Sequence, residues 1–353
     1  MRRALLIASL LSTLACKGSD PDPQVAAAEP EVEHEASPLP VADPDPAREP
    51  VPTASDRAAK LAEGLDRAAY EADLRFIAAV RPPGSAHWQA VQDRCAETLE
   101  ASGFTVSRVT GDGAGTSVVG RKQGSDAKLP AIVVGAHYDH VEDCPGADDN
   151  ASGTAAALAL ARTLGSHEWS HTLYVACWDE EETGLNGSEH WANQTVAEGQ
   201  AIALYLNFDA IGYADDTPNS QTLPPGAELL FAEQIKYLKA REFRGDFIGV
   251  LADDGAREPC QRYLAHAARL GLPAVLLEIP GVLKNDALLS ELRRSDHASF
   301  WKHDIPALFL SDTANYRTDT YHCMKRPDTV ETLDLEFALQ VTQAAVATVA
   351  ELL

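Results

Sequence analysis

Acidic and histidine side chains are concentrated in the stretch H-Y-D-H-V-E-D-C-P-G-A-D-D-N, at residues 137–150. Five carboxylates and two imidazoles lie within these fourteen residues, directly after the apolar run at 131–136. Imidazole nitrogens and carboxylate oxygens are ligands for zinc, and a carboxylate shared by two ions can hold a pair of metals together. Without cations the acids would repel one another, and several would have to take up protons. The stretch therefore predicts a metal site.

The same residue types follow three other apolar runs that are predicted to be strands, at 172–178, 201–208 and 307–310. The residues concerned are Glu181, Glu182, Asp209 and His322. Ligands of open α/β sheets bind beyond the carboxyl ends of the strands. These side chains are therefore expected to converge with those of 137–150 on one site.

Such convergence requires a sheet in which several strands end at the same edge. Apolar runs alternate with helical patterns from residue 56 onward. Predicted strands lie at 104–109, 116–121, 130–136, 172–178, 201–208, 274–277 and 307–310. Predicted helices lie at 59–80, 86–102, 152–164, 188–196, 258–270, 297–302 and 333–353. Continuous apolar strands separated by helices predict an α/β/α sandwich with a mostly parallel central sheet.

The chain of 353 residues has a formal net charge of -24. Nucleic-acid binding requires a basic face, so a nucleic-acid partner is not expected. An acidic surface suits metal ions and positively charged substrates better.

The first 55 residues read as an export signal followed by a linker. Met1-Arg-Arg precedes an apolar run at 4–14 and then Cys16, a pattern that resembles a bacterial lipoprotein signal at 1–16 with a lipidated cysteine. Residues 17–55 hold nine of the 21 prolines and are acidic, which predicts a disordered linker. The chain is therefore expected to be exported and lipid-anchored to the cell envelope, or otherwise secreted, with a folded domain at 56–353.

Six motifs in the folded region resemble, in order, those of the M28 family of di-zinc metallopeptidases, the bacterial aminopeptidase group. They are H-Y-D at 137–139, G-A-D-D-N-A-S-G at 146–153, E-E-T-G-L-N-G-S at 181–188, N-F-D at 207–209, S-D-H-A-S-F at 295–300, and D-T-A-N-Y-R with Y-H and D-T within 312–329. The resemblance extends from about residue 65 to the end and implies a zinc-exopeptidase-like fold.

The resemblance also implies a role for each matching residue. One of two zinc ions would be held by His137 and Asp209, and the other by Glu182 and His322. Asp148 would bridge them, with a cis peptide bond between Asp148 and Asp149. Asp139 would orient the ring of His137. Glu181 would be the general base that takes a proton from the attacking water and passes it to the leaving amine.

The activity implied is that of a zinc-dependent exopeptidase, foremost an aminopeptidase, hydrolysing peptides near a free N-terminus. One alternative is a single-zinc enzyme resembling glutaminyl cyclase, which lacks the first histidine of the H-x-D motif; the presence of His137 and Asp139 favours two metals. Another is a non-catalytic binding protein with the peptidase fold. The sequence leaves open the substrate residue, dipeptidase or carboxypeptidase action, and the oligomeric state.

Two further hypotheses concern the surroundings of the predicted metals. Cys144 precedes Asp148 by four residues and Cys323 follows His322, so the metal centre should bring the two cysteines together, and we expect a disulfide between them. Either Tyr316 or Tyr321 would assist in stabilising the oxyanion.

Overall fold

The computed structural model describes residues 53–111 and 115–353. Eight strands lie in this part of the chain: β1 (Thr105–Thr110), β2 (Thr116–Lys122), β3 (Ala131–His137), β4 (Leu173–Trp178), β5 (Ile202–Phe208), β6 (Ile248–Asp253), β7 (Ala274–Ile279) and β8 (Ala307–Ser311). They form one sheet in the order β1-β2-β4-β3-β5-β8-β6-β7. The four neighbours β4, β3, β5 and β8 are mutually parallel, so their carboxyl ends share one edge.

Ten α-helices accompany the sheet in the described residues: α1 (Asp56–Ala62), α2 (Arg67–Ile77), α3 (Ala86–Ala101), α4 (Gly153–Gly165), α5 (Asn186–Ala197), α6 (Ala227–Leu230), α7 (Ala232–Ala240), α8 (Arg257–Leu270), α9 (His297–Trp301) and α10 (Leu335–Leu352). None of the described helices is long and apolar enough to cross a membrane.

The helices cover both faces of the sheet, because alternate residues of a strand point to opposite sides. On β3, Ile132 and Val134 pack into a core with α1 to α4, α8 and α10. The intervening Val133 packs into a second core with Trp191 of α5 and Phe300 of α9. All seven residues of β3 are buried. The predicted α/β/α sandwich is therefore confirmed.

The structure departs from the predicted elements in two places. The single helix expected at 59–80 is two helices, because Asp66 caps α2 by accepting a hydrogen bond from the Ala69 amide. Strand β6 and helices α6 and α7 were not predicted, although β6 coincides with the apolar run F-I-G-V-L-A at 247–252 and all six of its residues are buried. Since β6 runs antiparallel to β8, and β2 antiparallel to β4, the parallel centre of the sheet has antiparallel neighbours on both sides.

The predicted signal at 1–16, including Cys16, and the linker up to residue 52 lie outside the described residues. These two expectations stay predictions. The first described helix, α1, begins at Asp56, where the Ser55 side chain accepts a hydrogen bond from the Ala58 amide.

Candidate metal centre

The ends of the parallel strands bring the predicted side chains together. His137 is the last residue of β3, and its ring is buried. Its Nε2 lies 3.3 Å from Oδ1 of Asp149, 3.6 Å from Oδ1 of Asp209 and 4.0 Å from Oε2 of Glu181. Three loops, which follow β3, β4 and β5, thus place a carboxylate beside one imidazole nitrogen.

A second imidazole faces the same cluster from the loop after β8. Nε2 of His322 lies 3.2 Å from Oδ2 of Asp149 and 3.3 Å from Oε2 of Glu182. Asp149 therefore presents one carboxylate oxygen to each histidine. A carboxylate in this position can be shared between two metal ions.

The expectation that Asp148 takes this shared position was wrong by one residue. Oδ1 of Asp148 accepts a hydrogen bond of 2.8 Å from the Gly212 amide, and its carboxyl group lies against that of Asp312. Asp148 thus points into the interior, away from the histidines. The cis peptide bond is likewise one residue later than expected, between Asp149 and Asn150. The sequence D-D-N offers two adjacent acids, and no periodicity distinguishes them.

Gly146 allows the tight turn that carries Asp149. Its φ of +59° lies in the left-handed region, and a Cβ atom there would meet the carbonyl oxygen of Asp149. Asp328 then fixes the turn from the other side, since its carboxylate accepts 3.0 Å hydrogen bonds from the amides of Asp148 and Asp149. Sequence reasoning assigned no role to Asp328, although it lies in the last of the six motifs.

Asp139 connects the first histidine with the two glutamates. Its Oδ1 is 3.3 Å from Nδ1 of His137, as expected of a residue that orients the ring. The same carboxylate accepts hydrogen bonds from the amides of Glu181 at 3.2 Å and Glu182 at 3.1 Å. One side chain therefore positions both the imidazole and the acidic loop after β4.

Several buried polar atoms of the cluster lack a hydrogen-bond partner among the described residues. They include both ring nitrogens of His137, Nε2 of His322 and Oε1 of Glu182. Burial raises the pKa of Glu181 well above its usual range, and burial with the charge of Asp149 raises the pKa of Glu182 to about 7. Buried donors and acceptors without a partner lower the stability of the fold, and so does the repulsion between clustered carboxylates. Cations among these atoms would relieve both costs.

The ligand types and their separations fit zinc. The candidate ligand atoms of His137, Glu181 and Asp209 lie within 4.8 Å of one another, as do those of His137, Asp149 and Glu182. Mixed nitrogen and oxygen ligands of this kind are typical of catalytic zinc sites.

The two tyrosines proposed for the oxyanion differ in their contacts. The ring of Tyr321 stacks on that of His322, with centroids 3.7 Å apart. The hydroxyl group of Tyr316 instead donates a hydrogen bond of 3.1 Å to Oε2 of Glu291. Tyr321 is thus the one that contacts the histidine of the cluster.

The expected disulfide between Cys144 and Cys323 is present, with Cα atoms 5.6 Å apart. It joins the loop that leads to Asp149 with the loop that carries His322, across a sequence separation of 179 residues. The other described cysteines, Cys95, Cys177 and Cys260, are buried and free.

The fold is similar to those of solved aminopeptidases. It matches the LapA aminopeptidase of Legionella pneumophila with a TM-score of 0.65 at 19% identity, over 86% of this chain and 77% of that one. An eight-stranded mixed sheet between helical layers, with acids and histidines at its parallel strand ends, defines a fold of the zinc-exopeptidase type.

Residues 117–247 match the model of Peptidase family M28. The protein YfbL of Escherichia coli (strain K12) is 30% identical over an alignment of 231 residues, which covers 62% of this chain and 65% of YfbL. Leupeptin-inactivating enzyme 1 of Streptomyces exfoliatus is 35% identical over an alignment of 156 residues, which covers 40% of this chain and 35% of that protein. The matches thus cover less than two thirds of either relative. The central part of the chain is thus similar to the peptidases of family M28.

Proposed function

We propose that this protein is a zinc-dependent aminopeptidase that binds two zinc ions. His137 and Asp209 would hold one ion, Glu182 and His322 the other, and Asp149 would be shared. The observation that carries this proposal is the position of Asp149, whose two oxygens lie 3.3 and 3.2 Å from the nitrogens of the two histidines.

Bound zinc would lower the pKa of a water molecule and polarise the scissile carbonyl group. The protein supplies the proton transfer. Glu181 lies beside His137, on the side of Asp209, whereas the adjacent Glu182 faces His322. Because Glu181 is buried and its pKa is raised, its carboxylate is well suited to accept a proton from the attacking water and to return it to the leaving amine. Tyr321, stacked on His322, would donate to the developing oxyanion.

The test is a comparison of matched peptides with free and N-acetylated termini, using protein whose zinc content has been measured. We expect about two zinc ions per chain and release of amino acids from the free peptides only. Glu181→Gln is the control for contaminating peptidases, since it should keep the metals. Equal cleavage of the free and acetylated peptides would contradict an aminopeptidase. Cyclisation of an N-terminal glutamine, without release of amino acids, would indicate the glutaminyl-cyclase alternative.

We also propose that the protein is exported and anchored by lipid on Cys16, with residues 17–55 as a linker between the membrane and the peptidase domain at 56–353. The support is the sequence of the first 16 residues and the acidic, proline-rich composition that follows. Labelling with a fatty-acid analogue should modify the wild-type chain but not Cys16→Ser. Equal labelling of both chains, or of neither, would contradict the anchor.

A further inference from the structure

Arg81 is a fully buried guanidinium in the connection between α2 and α3, with an exposed fraction of 1%. Buried arginines are normally paired with a carboxylate. No carboxylate of the described residues forms an ion pair with Arg81; five backbone carbonyl groups accept its hydrogen bonds instead. These are the carbonyls of Ile77, Ala79, Tyr138, Asp139 and Pro145.

These carbonyls belong to three segments, two of which adjoin candidate metal ligands. Ile77 and Ala79 lie at the end of α2, at 3.0 Å from Nη1. Tyr138 and Asp139 directly follow His137. Pro145 accepts a bond of 2.7 Å and precedes the Gly146 turn that carries Asp149.

The backbone of Arg81 holds the same loop. Its amide donates to Nε2 of His140, whose Nδ1 faces the carbonyl oxygen of Val141 at 2.5 Å. For Nε2 to accept, Nδ1 must carry the proton, so His140 is neutral and acts as a hydrogen-bond link. Burial and the charge of Arg81 also lower the pKa of His140. This second histidine of H-Y-D-H thus fastens the loop to Arg81.

The positive charge also lies within the acidic region. Burial lowers the pKa of Arg81 to about 10, so the group stays protonated at neutral pH, and the nearby charges that favour its protonation are those of Asp139, Asp149, Asp328 and Glu182. A lysine would keep the charge, but its three donors cannot reproduce the planar set of guanidinium hydrogen bonds.

We propose that Arg81 is a positioning residue, which sets the separation of the His137 loop from the Asp149 turn through their backbone carbonyls. It thereby fixes the geometry in which the chain binds zinc and orients the water. This inference rests on the proposed function, because it needs zinc as the ligand of the centre.

The test compares Arg81→Lys with Arg94→Lys. Arg94 pairs with the buried Asp73, at 2.7 Å, and lies outside the metal centre. Both variants remove guanidinium hydrogen bonds, those of Arg81 to buried backbone carbonyls and those of the half-buried Arg94 to the buried carboxylate of Asp73. Folding is checked by circular dichroism and thermal unfolding. Zinc affinity is measured by competition with a chromophoric chelator, and kcat and KM for a leucyl anilide are measured at saturating zinc.

We expect Arg81→Lys to bind zinc about 10- to 100-fold more weakly, as for the loss of other residues that orient metal ligands. Its kcat should fall while KM changes little, and Arg94→Lys should keep wild-type zinc affinity and kcat. If Arg81→Lys does not fold, His140→Leu removes only the acceptor of the Arg81 amide and should weaken zinc binding several-fold.

A folded Arg81→Lys variant with the same zinc affinity and kcat as Arg94→Lys would overturn the inference. If Arg81→Lys does not fold, an unchanged zinc affinity in His140→Leu would overturn it. The wild-type arm tests the proposed function separately. A wild-type chain that binds no zinc would overturn the proposed function and this inference with it, whereas a zinc-binding peptidase with an unaffected Arg81 variant would overturn the inference alone.

Discussion

Exchange of Asp149 for asparagine should release zinc, whereas the same exchange at the neighbouring Asp148 should leave zinc bound. The two residues are adjacent and both buried, so the pair is a matched test of which carboxylate is shared. Oxygens of Asp149 face Nε2 of His137 and Nε2 of His322, at 3.3 and 3.2 Å. Asp148 instead accepts a hydrogen bond from Gly212.

The expected magnitudes follow from these contacts. Loss of a residue that only orients a ligand costs about 10- to 100-fold in metal affinity, so loss of a shared ligand should exceed about 100-fold. Asp148→Asn keeps an acceptor for the Gly212 amide and offers a donor to Asp312, so zinc affinity should change little. Asp148→Ala leaves the buried Gly212 amide unpaired and should lower the free energy of unfolding by about 1–3 kcal/mol.

The assay is a titration of metal-free protein with zinc in the presence of a competing chelator, with urea unfolding measured in parallel. The stability measurement separates loss of a ligand from general damage to the fold. Loss of zinc from Asp148→Asn together with full retention by Asp149→Asn would refute the assignment of Asp149. Asp148 would then be the shared ligand, as expected from the sequence.

Three other predictions concern the base, the disulfide and a distant carboxylate. Glu181→Gln should keep zinc but lose about 10²- to 10⁴-fold in kcat, whereas Glu182→Gln should lose zinc affinity. Metal analysis and single-turnover kinetics test this. Loss of zinc from Glu181→Gln and its retention by Glu182→Gln would show that the roles are exchanged. The double variant Cys144→Ala and Cys323→Ala should lose roughly 2–5 kcal/mol of unfolding free energy, and peptide mapping without reductant should recover the linked pair from the wild type. Although burial acts in the opposite direction, the Ser55 amide, Arg262 and His266 lower the pKa of Glu351. The ionised Glu351 should therefore stabilise the fold fully above the unfolded pKa, and this stabilisation should disappear as pH falls through the folded pKa. In urea unfolding, Glu351→Gln should be about 1–3 kcal/mol less stable than wild type near pH 7, and the difference should shrink below about pH 4. A difference that stays constant with pH would contradict the prediction.

The sequence predicted the sheet and the ends of its strands because buried strands leave a strong local pattern. The apolar run before His137 became β3, and the acids after Trp178 and Phe208 do follow β4 and β5. Convergence of these residues required only the parallel order of the central strands. Strand β6 was missed although it is also a buried apolar run, and the local sequence does not show that it pairs with β8 in the antiparallel direction.

Within the site, the side chains predicted from the sequence do lie together, and the wrong member was chosen for one pair of adjacent acids, Asp148 and Asp149. His137, His322 and Asp209 have no equivalent neighbour that competes for the position. Asp148 and Asp149 have the same side chain, and only the local backbone decides which of them faces the histidines. That backbone is set by Gly146 and by hydrogen bonds from the turn to Asp328, which is 179 residues further along the chain than Asp149.

The arrangement also explains why several acids outside the proposed ligand set are buried here. Asp139 and Asp328 accept hydrogen bonds from loop amides, and Asp148 does so from Gly212. Each such carboxylate fixes a loop that carries a candidate ligand. The acids whose charges raise the pKa of Glu181 are Asp209, Asp296 and Glu182, and the charge of Asp149 raises the pKa of Glu182. Arg81 and bound cations act in the opposite sense. The repulsion among these clustered acids raises the free energy of the metal-free centre, so the binding of zinc should stabilise the fold.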